Sequence, residues 1–182
     1  MPKTFTCDWF SHNIPIWNKY LSEFKDRYIE VLEIGCFEGK ATCWFLENLI
    51  GHITCIDSFE GEEFANKLGV SIDGLKDRFL ENVDSKRVTL FEGRSNVILR
   101  SMLSGSFDLI YVDGSHYASD VLMDLYESLR LLHNGGILIA DDYGWDIDPC
   151  VERRPKAAID FFLAAASVTV LHLDYQVILK KI

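Results

Sequence analysis

The feature that most restricts the fold is a regular alternation of short apolar runs with amphipathic segments. Residues 28–34 form a strand-like run, and residues 40–50 follow with apolar side chains at helical spacing. Further strand-like runs lie at 52–56, 88–91, 107–112 and 137–140, with helical segments near 75–82 and at 118–132. Strands that alternate with helices predict an α/β fold with a largely parallel, doubly wound sheet.

The two ends of the chain complete this pattern. A helix is predicted after Pro155, followed by strands at 168–173 and 175–180 that are separated by little more than Asp174. So short a connection requires antiparallel strands. Near the amino terminus, a helix that begins at 13–15 carries one apolar stripe, formed by Ile14, Trp17, Tyr20, Leu21, Phe24 and Tyr28. We expect one domain, 1–182, in which residues 1–27 form an aromatic arm and a helix that covers the sheet.

Composition disfavours several classes of partner. A net charge of −10 would repel nucleic acid and anionic membrane surfaces. No apolar run approaches the roughly 20 residues of a membrane span, and no signal core is present, so we expect a cytoplasmic protein. The sequence leaves a homo-oligomer open. The five cysteines lack a CxxC pair, which favours reduced, structural thiols over a nucleophile at Cys36 or Cys150.

Polar residues follow each predicted parallel strand. They are Glu33 with the turn 35–39, Asp57 with Ser58, the segment 92–96, the segment 113–116, and Asp141 with Asp142. The carboxyl ends of such strands meet at one edge of the sheet, where α/β proteins bind ligands. Each segment taken alone is also consistent with an ordinary turn or helix cap. Their joint occurrence predicts a binding cleft.

The glycine turn and Asp57 indicate the kind of ligand. Gly35 and Gly39 allow the backbone to approach a ligand closely, and the start of the next helix offers free amides to an anionic group. Asp57 ends the following strand, where a carboxylate can accept both hydroxyls of a ribose. Together these residues predict an adenosine-type cofactor.

The chain resembles class I S-adenosylmethionine (SAM)-dependent methyltransferases, from VLEIGCFEG at 31–39 through ITCID at 53–57 to the closing hairpin. Two further motifs, YVDGSH at 111–116 and GILIADDY at 136–143, resemble metal-dependent O-methyltransferases of the catechol type and of the macrocin and mycinamicin sugar type. The resemblance implies a Rossmann-like, seven-stranded sheet of order 3-2-1-4-5-7-6 whose last strand is antiparallel.

It also implies roles for individual residues. Gly35, Phe37 and Gly39 would surround the methionine part of SAM, Asp57 would hold the ribose and Ser95 would lie beside the adenine. The remaining cofactor-binding positions are Glu33, Thr42, Ser58 and Asp113. A divalent cation, Mg²⁺, would be held by Asp113, Asp141 and Asp142. The catalytic residues would be His116, as the base, and Asp113.

These roles are chemically consistent. Three neighbouring carboxylates repel one another unless they are protonated, hydrogen-bonded or neutralised, and Mg²⁺ prefers oxygen ligands. A histidine, with an ordinary pKa of about 6.5, can accept a hydroxyl proton. The alternative is a metal-independent enzyme in which these carboxylates serve turns and His116 only begins a helix.

The acceptor and two other functions stay open. We favour a small molecule or glycan, in particular a sugar hydroxyl, because the loop 143–146 offers Tyr143, Trp145 and Asp146. Trp145 and the arm aromatics at 5–17 are equally consistent with core packing. A SAM-binding domain without catalysis is a further alternative. An NAD(P)-dependent oxidoreductase would not explain DGSH at 113–116 or the closing hairpin.

Overall fold

The computed structural model describes residues 3–61, 69–83 and 85–182. Its sheet has seven strands in the order β3-β2-β1-β4-β5-β7-β6. The strands are β1 Tyr28–Ile34, β2 Ile50–Asp57, β3 Val88–Glu92, β4 Phe107–Val112, β5 Leu132–Ala140, β6 Val168–Leu173 and β7 Val177–Lys181. The pairs from β3 to β5 are parallel, and β7 is antiparallel to both β5 and β6. The predicted fold class and strand order are confirmed.

Helices connect the strands within the described residues. The α-helices are α1 Ile14–Tyr20, α2 Lys40–Asn48, α3 Leu75–Asn82, α4 Ser95–Ile98, α5 Ala118–Leu131 and α6 Pro155–Ala165. Short 3₁₀ helices lie at Ser11–Asn13, Ser22–Phe24, Leu99–Ser101 and Val151–Arg153. None of the helices in this part of the chain is both long enough and apolar enough to cross a membrane.

The core lies on both faces of the sheet because successive strand residues point to opposite sides. On β1, Val31 faces a cluster that contains Trp17 of α1, Phe45 of α2 and Phe79 of α3. Leu32, one residue later, faces a second cluster formed largely with α5 and α6. Apolar packing on both faces holds the strand ends in a fixed register, and this register positions the site.

The boundaries at Ile50 and Leu132 differ from the sequence-based expectation because of sheet pairing, and the first helix is shorter than its apolar stripe. The first helix ends at Tyr20, and Tyr28 starts β1 opposite Ile50, which was expected to end α2. Strand β5 begins directly at Leu132, next to Phe107 of β4, so the residues 134–136 expected to form a turn lie within the strand. For Ile50 and Leu132, a neighbouring strand supplies backbone partners that local periodicity does not reveal.

Candidate active site

The ends of β1, β4 and β5 bring Gly35, Asp113 and Asp141 side by side. Ile34 is paired with Val112, and Val112 with Ala140, so the next residue of each strand emerges at the same edge. Gly35 has φ +82°, and a Cβ atom there would lie 2.0 Å from the carbonyl oxygen of Asp113. Only glycine permits this contact between the turn and the end of β4.

A tyrosine hydroxyl bridges two of the predicted metal ligands. The hydroxyl of Tyr111 donates to Asp113 Oδ2 at 2.7 Å and also lies within hydrogen-bond distance of Asp141 Oδ2. A tyrosine hydroxyl carries one proton and can donate to only one carboxylate at a time. When it donates to one carboxylate, its oxygen faces the other without a proton between them, and a protonated carboxyl or a nearby cation would relieve that repulsion.

The electrostatics of the cluster support this conclusion. Burial raises the pKa of Asp113 well above its usual range, and the charges of Asp141 and Asp142 raise it further. Burial also raises the pKa of Asp141 to about 7, with a further contribution from Asp142. The hydroxyl of Tyr111 is likewise buried between carboxylates, which raises its pKa well above the ordinary value. The site therefore attracts positive charge.

The donor set fits a hard cation in chemistry, since Asp113, Asp141 and Asp142 supply only oxygen atoms. The geometry of the three side chains, however, does not form a complete metal site. Among residues 3–61, 69–83 and 85–182, no three His, Cys, Asp or Glu side chains are disposed so that they could hold a metal ion together. The metal site thus stays a prediction.

Asp142 connects the cluster to the predicted base. Its backbone has φ +63°, an uncommon conformation for a residue other than glycine, and its amide donates to Asp141 Oδ1 at 2.8 Å. Its Oδ2 lies 3.2 Å from His116 Nε2, and its Oδ1 accepts a hydrogen bond of 3.2 Å from the Tyr175 hydroxyl. The Trp145 ring lies 4.8 Å from the imidazole. His116 is therefore held between a carboxylate and an aromatic ring.

The sequence did not reveal four residues of the site: Tyr111, Tyr175, Gln176 and Trp17. Trp17 Nε1 donates to Gln176 Oε1 at 2.8 Å, and Gln176 Nε2 donates to Asp141 Oδ2 at 2.6 Å. Tyr111 could have been found, because it lies two residues before Asp113 and so on the same strand face. Gln176 and Tyr175 could not, because their contacts with Asp141 and Asp142 depend on the insertion of β7 next to β5, and Trp17 is connected to the site through Gln176.

At the predicted cofactor site, Asp57 accepts hydrogen bonds from the backbone of the glycine turn. Its Oδ2 accepts hydrogen bonds from the amides of Cys36 at 2.9 Å and Phe37 at 2.8 Å, and its Oδ1 accepts one from Phe59 at 2.7 Å. Phe37 itself has φ +47°. The predicted ribose contact of Asp57 is untested, and the carboxylate also has this structural role in shaping the turn.

The other predicted cofactor residues differ in accessibility. Glu33 and Thr42 are both buried, with the Thr42 hydroxyl donating to Glu33 Oε2 at 2.6 Å, and burial raises the pKa of Glu33 well above its usual range. They lie beneath the turn and form an internal pair. Ser58 and Ser95 are half-buried at the sheet edge, and Ser95 is the first residue of α4.

The amino-terminal arm packs onto the outside of the glycine turn. The Trp9 ring lies 5.3 Å from that of Phe37, and Thr6 donates to the buried Glu38 through its amide and its hydroxyl. Trp17 and Phe10 are buried in the core. For these two aromatic residues, core packing is therefore the correct interpretation. Residues 1 and 2 of the arm lie outside the described residues.

A cleft of about 640 Å³ opens beside Asp142, between the loop after β5, the start of α6 and the turn between β6 and β7. Tyr143, Lys156 and Tyr175 are among its lining residues. Trp145 also lines it but is only 7% exposed and packs on the His116 ring. Tyr143 and Tyr175 are thus the aromatic side chains that a ligand in this cleft could reach.

The burial of three cysteines is consistent with a structural role for their thiols. Cys36, Cys43 and Cys55 are buried and unpaired by disulfides. Burial raises the pKa of Cys36 well above the ordinary value, so a nucleophilic thiolate is disfavoured there. Cys150 is half-buried, beside Glu152.

Comparison with known proteins gives a consistent result. A curated relative, the O-methyltransferase ankF of Aspergillus thermomutatus, is 29% identical over 117 residues, which make up 64% of this chain and 46% of that protein. The chain thus spans less than half the length of this relative. MycE methyltransferase from the mycinamycin biosynthetic pathway, solved with Mg, S-adenosylhomocysteine and mycinamycin VI, is similar with a TM-score of 0.65 and 17% identity. That match covers 99% of this chain and 50% of the other.

A second solved structure shares the fold. An S-adenosylmethionine-dependent methyltransferase from Mesorhizobium loti matches with a TM-score of 0.51 and 18% identity, over 71% of this chain and 53% of the other. A family model, described as a methyltransferase domain, matches residues 32–143, which are more than half of the chain and contain the glycine turn, Asp57, Asp113, His116 and Asp141. The chain therefore belongs to the methyltransferase domain family.

Proposed function

We propose that the chain transfers the methyl group of SAM to a hydroxyl oxygen of a small acceptor, in particular a sugar. The observation that carries this proposal is the meeting of His116 with Asp113, Asp141 and Asp142 beside the glycine turn. The turn offers a place for the cofactor, and the cluster offers a proton acceptor and negative charge at the same edge of the sheet. Family membership supports methyl transfer.

SAM, when bound, supplies an electrophilic methyl group on a sulfonium whose sulfur leaves with the electron pair of the S–CH₃ bond. The protein's part is positioning, which can contribute on the order of 7 to 11 kcal/mol in well-aligned reactions. The turn at 35–39 is held in shape by Asp57 and fixed against the end of β4. A cofactor seated there would face Asp113 directly.

His116 is the proposed general base. It would take the proton of the acceptor hydroxyl as the oxygen forms its bond to the methyl carbon. The carboxylate of Asp142, 3.2 Å from Nε2, would orient the imidazole and stabilise its protonated form. The same carboxylate accepts the Tyr175 hydroxyl, which limits its movement.

Mg²⁺ is the proposed cation, and Asp113, Asp141 and Asp142 are the residues that would hold it. Such an ion would supply Lewis-acid stabilisation of the acceptor oxygen. It would also neutralise Asp113 and Asp141, whose pKa values are raised by burial and by neighbouring carboxylates. The donation from Gln176 to Asp141 fixes one carboxylate oxygen of this set.

One observation favours a second version of the proposal, a metal-independent methyltransferase. The Tyr111 hydroxyl already bridges Asp113 and Asp141, so one further proton on either carboxylate would leave the pair with a single negative charge and would relieve its repulsion without a cation. His116 and Asp142 would keep their roles. Turnover in the presence of EDTA separates the versions, since only the metal-dependent one predicts loss of activity that Mg²⁺ restores.

The cofactor is tested by calorimetry with SAM and, separately, with NAD. We expect binding of SAM only, and binding of NAD without SAM would overturn the proposal. SAM binding without methyl transfer to any sugar or catechol would instead favour a binding domain.

The base is tested by the change His116→Ala. Because general-base catalysis contributes about 100-fold or more, turnover should fall by about that factor while the affinity for SAM stays the same. His133→Ala is the matched control, because His133 is exposed near the amino end of β5, away from the cluster. Equal turnover in the His116 variant and the control would remove His116 as base.

A further inference from the structure

The cleft beside Asp142 shares a side chain with the proposed catalytic cluster. Tyr175 lines the cleft, is 40% exposed, and donates its hydroxyl to Asp142 Oδ1 at 3.2 Å. The other oxygen of Asp142 lies 3.2 Å from His116 Nε2. A ligand that packs against the Tyr175 ring would therefore lie next to the carboxylate that orients the base.

The position of the Tyr175 ring in the cleft depends on Gly144. A Cβ atom at Gly144 would lie 2.6 Å from Cδ2 of Tyr175, closer than such atoms approach in proteins. Any larger residue at 144 would displace the ring. The Gly144 amide also donates to the Tyr175 carbonyl at 3.3 Å, which ties the loop after β5 to the turn before β7.

The second aromatic side chain of the cleft, Tyr143, lies beside an ion pair between Lys156 and Asp160. The Tyr143 hydroxyl donates to Asp160 Oδ1 at 2.8 Å and accepts a hydrogen bond of 2.6 Å from Lys156 Nζ, which also lies 2.7 Å from Asp160 Oδ2. The ammonium group sits 4.2 Å from the centre of the Tyr143 ring. The negative charge of Asp160 therefore neutralises the positive charge of Lys156.

The remaining charges of the cleft are mostly negative. Its lining contains Arg154, whose Nε donates to the Asp148 carbonyl at 2.7 Å, and the acidic residues Asp146, Glu152 and Asp174. None of these three carboxylates forms a salt bridge with another described residue. An anionic ligand would thus meet net repulsion, whereas hydroxyl and ammonium groups would find hydrogen-bond acceptors.

We propose that this cleft is the acceptor subsite and that it selects a hydroxylated ring that is uncharged or carries an amine, against phosphorylated or carboxylated rings. Tyr143 and Tyr175 would pack on the ring of the ligand. The carboxylates without a salt bridge, Asp146, Glu152 and Asp174, would favour uncharged or cationic ligands over anionic ones. This inference rests on the proposed methyl transfer, since it names the acceptor of that reaction.

The test compares a neutral methyl hexoside, its amino-sugar counterpart and its 6-phosphate. Binding is measured by saturation-transfer NMR, and methylation by the release of S-adenosylhomocysteine. We expect the neutral and amino sugars to bind and react in preference to the phosphate. Asp174→Lys should shift the ratio of neutral to phosphorylated acceptor by roughly 10-fold at low salt, as expected for a charge reversed within ~8 Å of a phosphate that carries nearly two negative charges. Glu81→Lys, an exposed position on α3, gives the same change of charge elsewhere and should leave the ratio unchanged.

Gly144→Ala tests the location. It should raise the KM for the acceptor at least several-fold, with little effect on the affinity for SAM. Suppose that the protein methylates a sugar, that Asp174→Lys leaves the preference between neutral and phosphorylated sugar unchanged, and that Gly144→Ala leaves the KM unchanged. This result would overturn the inference and leave the proposed methyl transfer intact. Sugar binding that Gly144→Ala abolishes, without methylation of any sugar, would support the cleft but overturn the proposed function. Preference for the phosphate, or no binding of any sugar, would overturn the inference directly.

Discussion

Asp124 on α5 is a buried carboxylate that the proposed chemistry does not use. It is 1% exposed, and no hydrogen bond of normal geometry joins either carboxylate oxygen to another described residue. Burial raises its pKa from 3.8 to about 7; the nearby Ser95 hydroxyl opposes this shift and the charge of Asp120 adds to it. Because one pKa unit corresponds to about 1.4 kcal/mol, ionising Asp124 in the folded protein costs about 4 kcal/mol.

The sign of the pH dependence follows from proton binding. Between about pH 4 and pH 7 the folded state keeps the proton on Asp124 while the unfolded state has lost it. The free energy of unfolding therefore falls as pH rises through this window and levels off above it. Asp124→Asn removes this contribution, so the variant should match the unchanged protein near pH 4 and exceed it by up to about 4 kcal/mol near pH 8.

Urea unfolding measured from pH 4 to pH 8 tests this prediction. The difference between variant and parent isolates Asp124 from the other buried carboxylates, which contribute equally to both. Asp26→Asn, at an exposed position, is the matched control and should run parallel to the parent. The reasoning would be refuted if the Asp124 variant also ran parallel to the parent, because the folded state would then ionise Asp124 without cost.

Three further changes test the contacts at the sheet edge. Gln176→Leu should lower the free energy of unfolding by about 1 to 3 kcal/mol, because it leaves the buried Trp17 Nε1 without its acceptor and removes one of the two partners of Asp141 Oδ2; urea unfolding measures this, and an unchanged midpoint would contradict it. Gly35→Ala should prevent SAM binding in calorimetry or destabilise the fold by more than about 2 kcal/mol, because its Cβ would lie 2.0 Å from the Asp113 carbonyl oxygen; normal affinity and stability would exclude the close contact. Glu38→Gln should cost about 2 kcal/mol in urea unfolding through the loss of a buried charged acceptor, and no change would show that the arm is held by other contacts.

The fold was largely predictable because its signals are local. Short apolar runs indicated the strands, and apolar residues at helical spacing indicated the helices between them. The short connection around Asp174 gave the antiparallel hairpin. The start of β1 at Tyr28 was predicted correctly, whereas the boundaries expected at Ile50 and Leu132 were wrong because pairing with a neighbouring strand determines where a strand begins.

The site was predictable only in part. Asp113 and Asp141 follow adjacent parallel strands, so their convergence follows from the strand pattern alone. By itself, the sequence determined which residues end each strand. The tertiary structure decided that Glu33 and Thr42 lie beneath the turn, that Gln176 and Tyr175 reach the carboxylates, and that Trp17 donates to Gln176. The physical reason is that burial and long-range hydrogen bonding depend on which strand is inserted beside which, and β7 joins β5 from the far end of the chain.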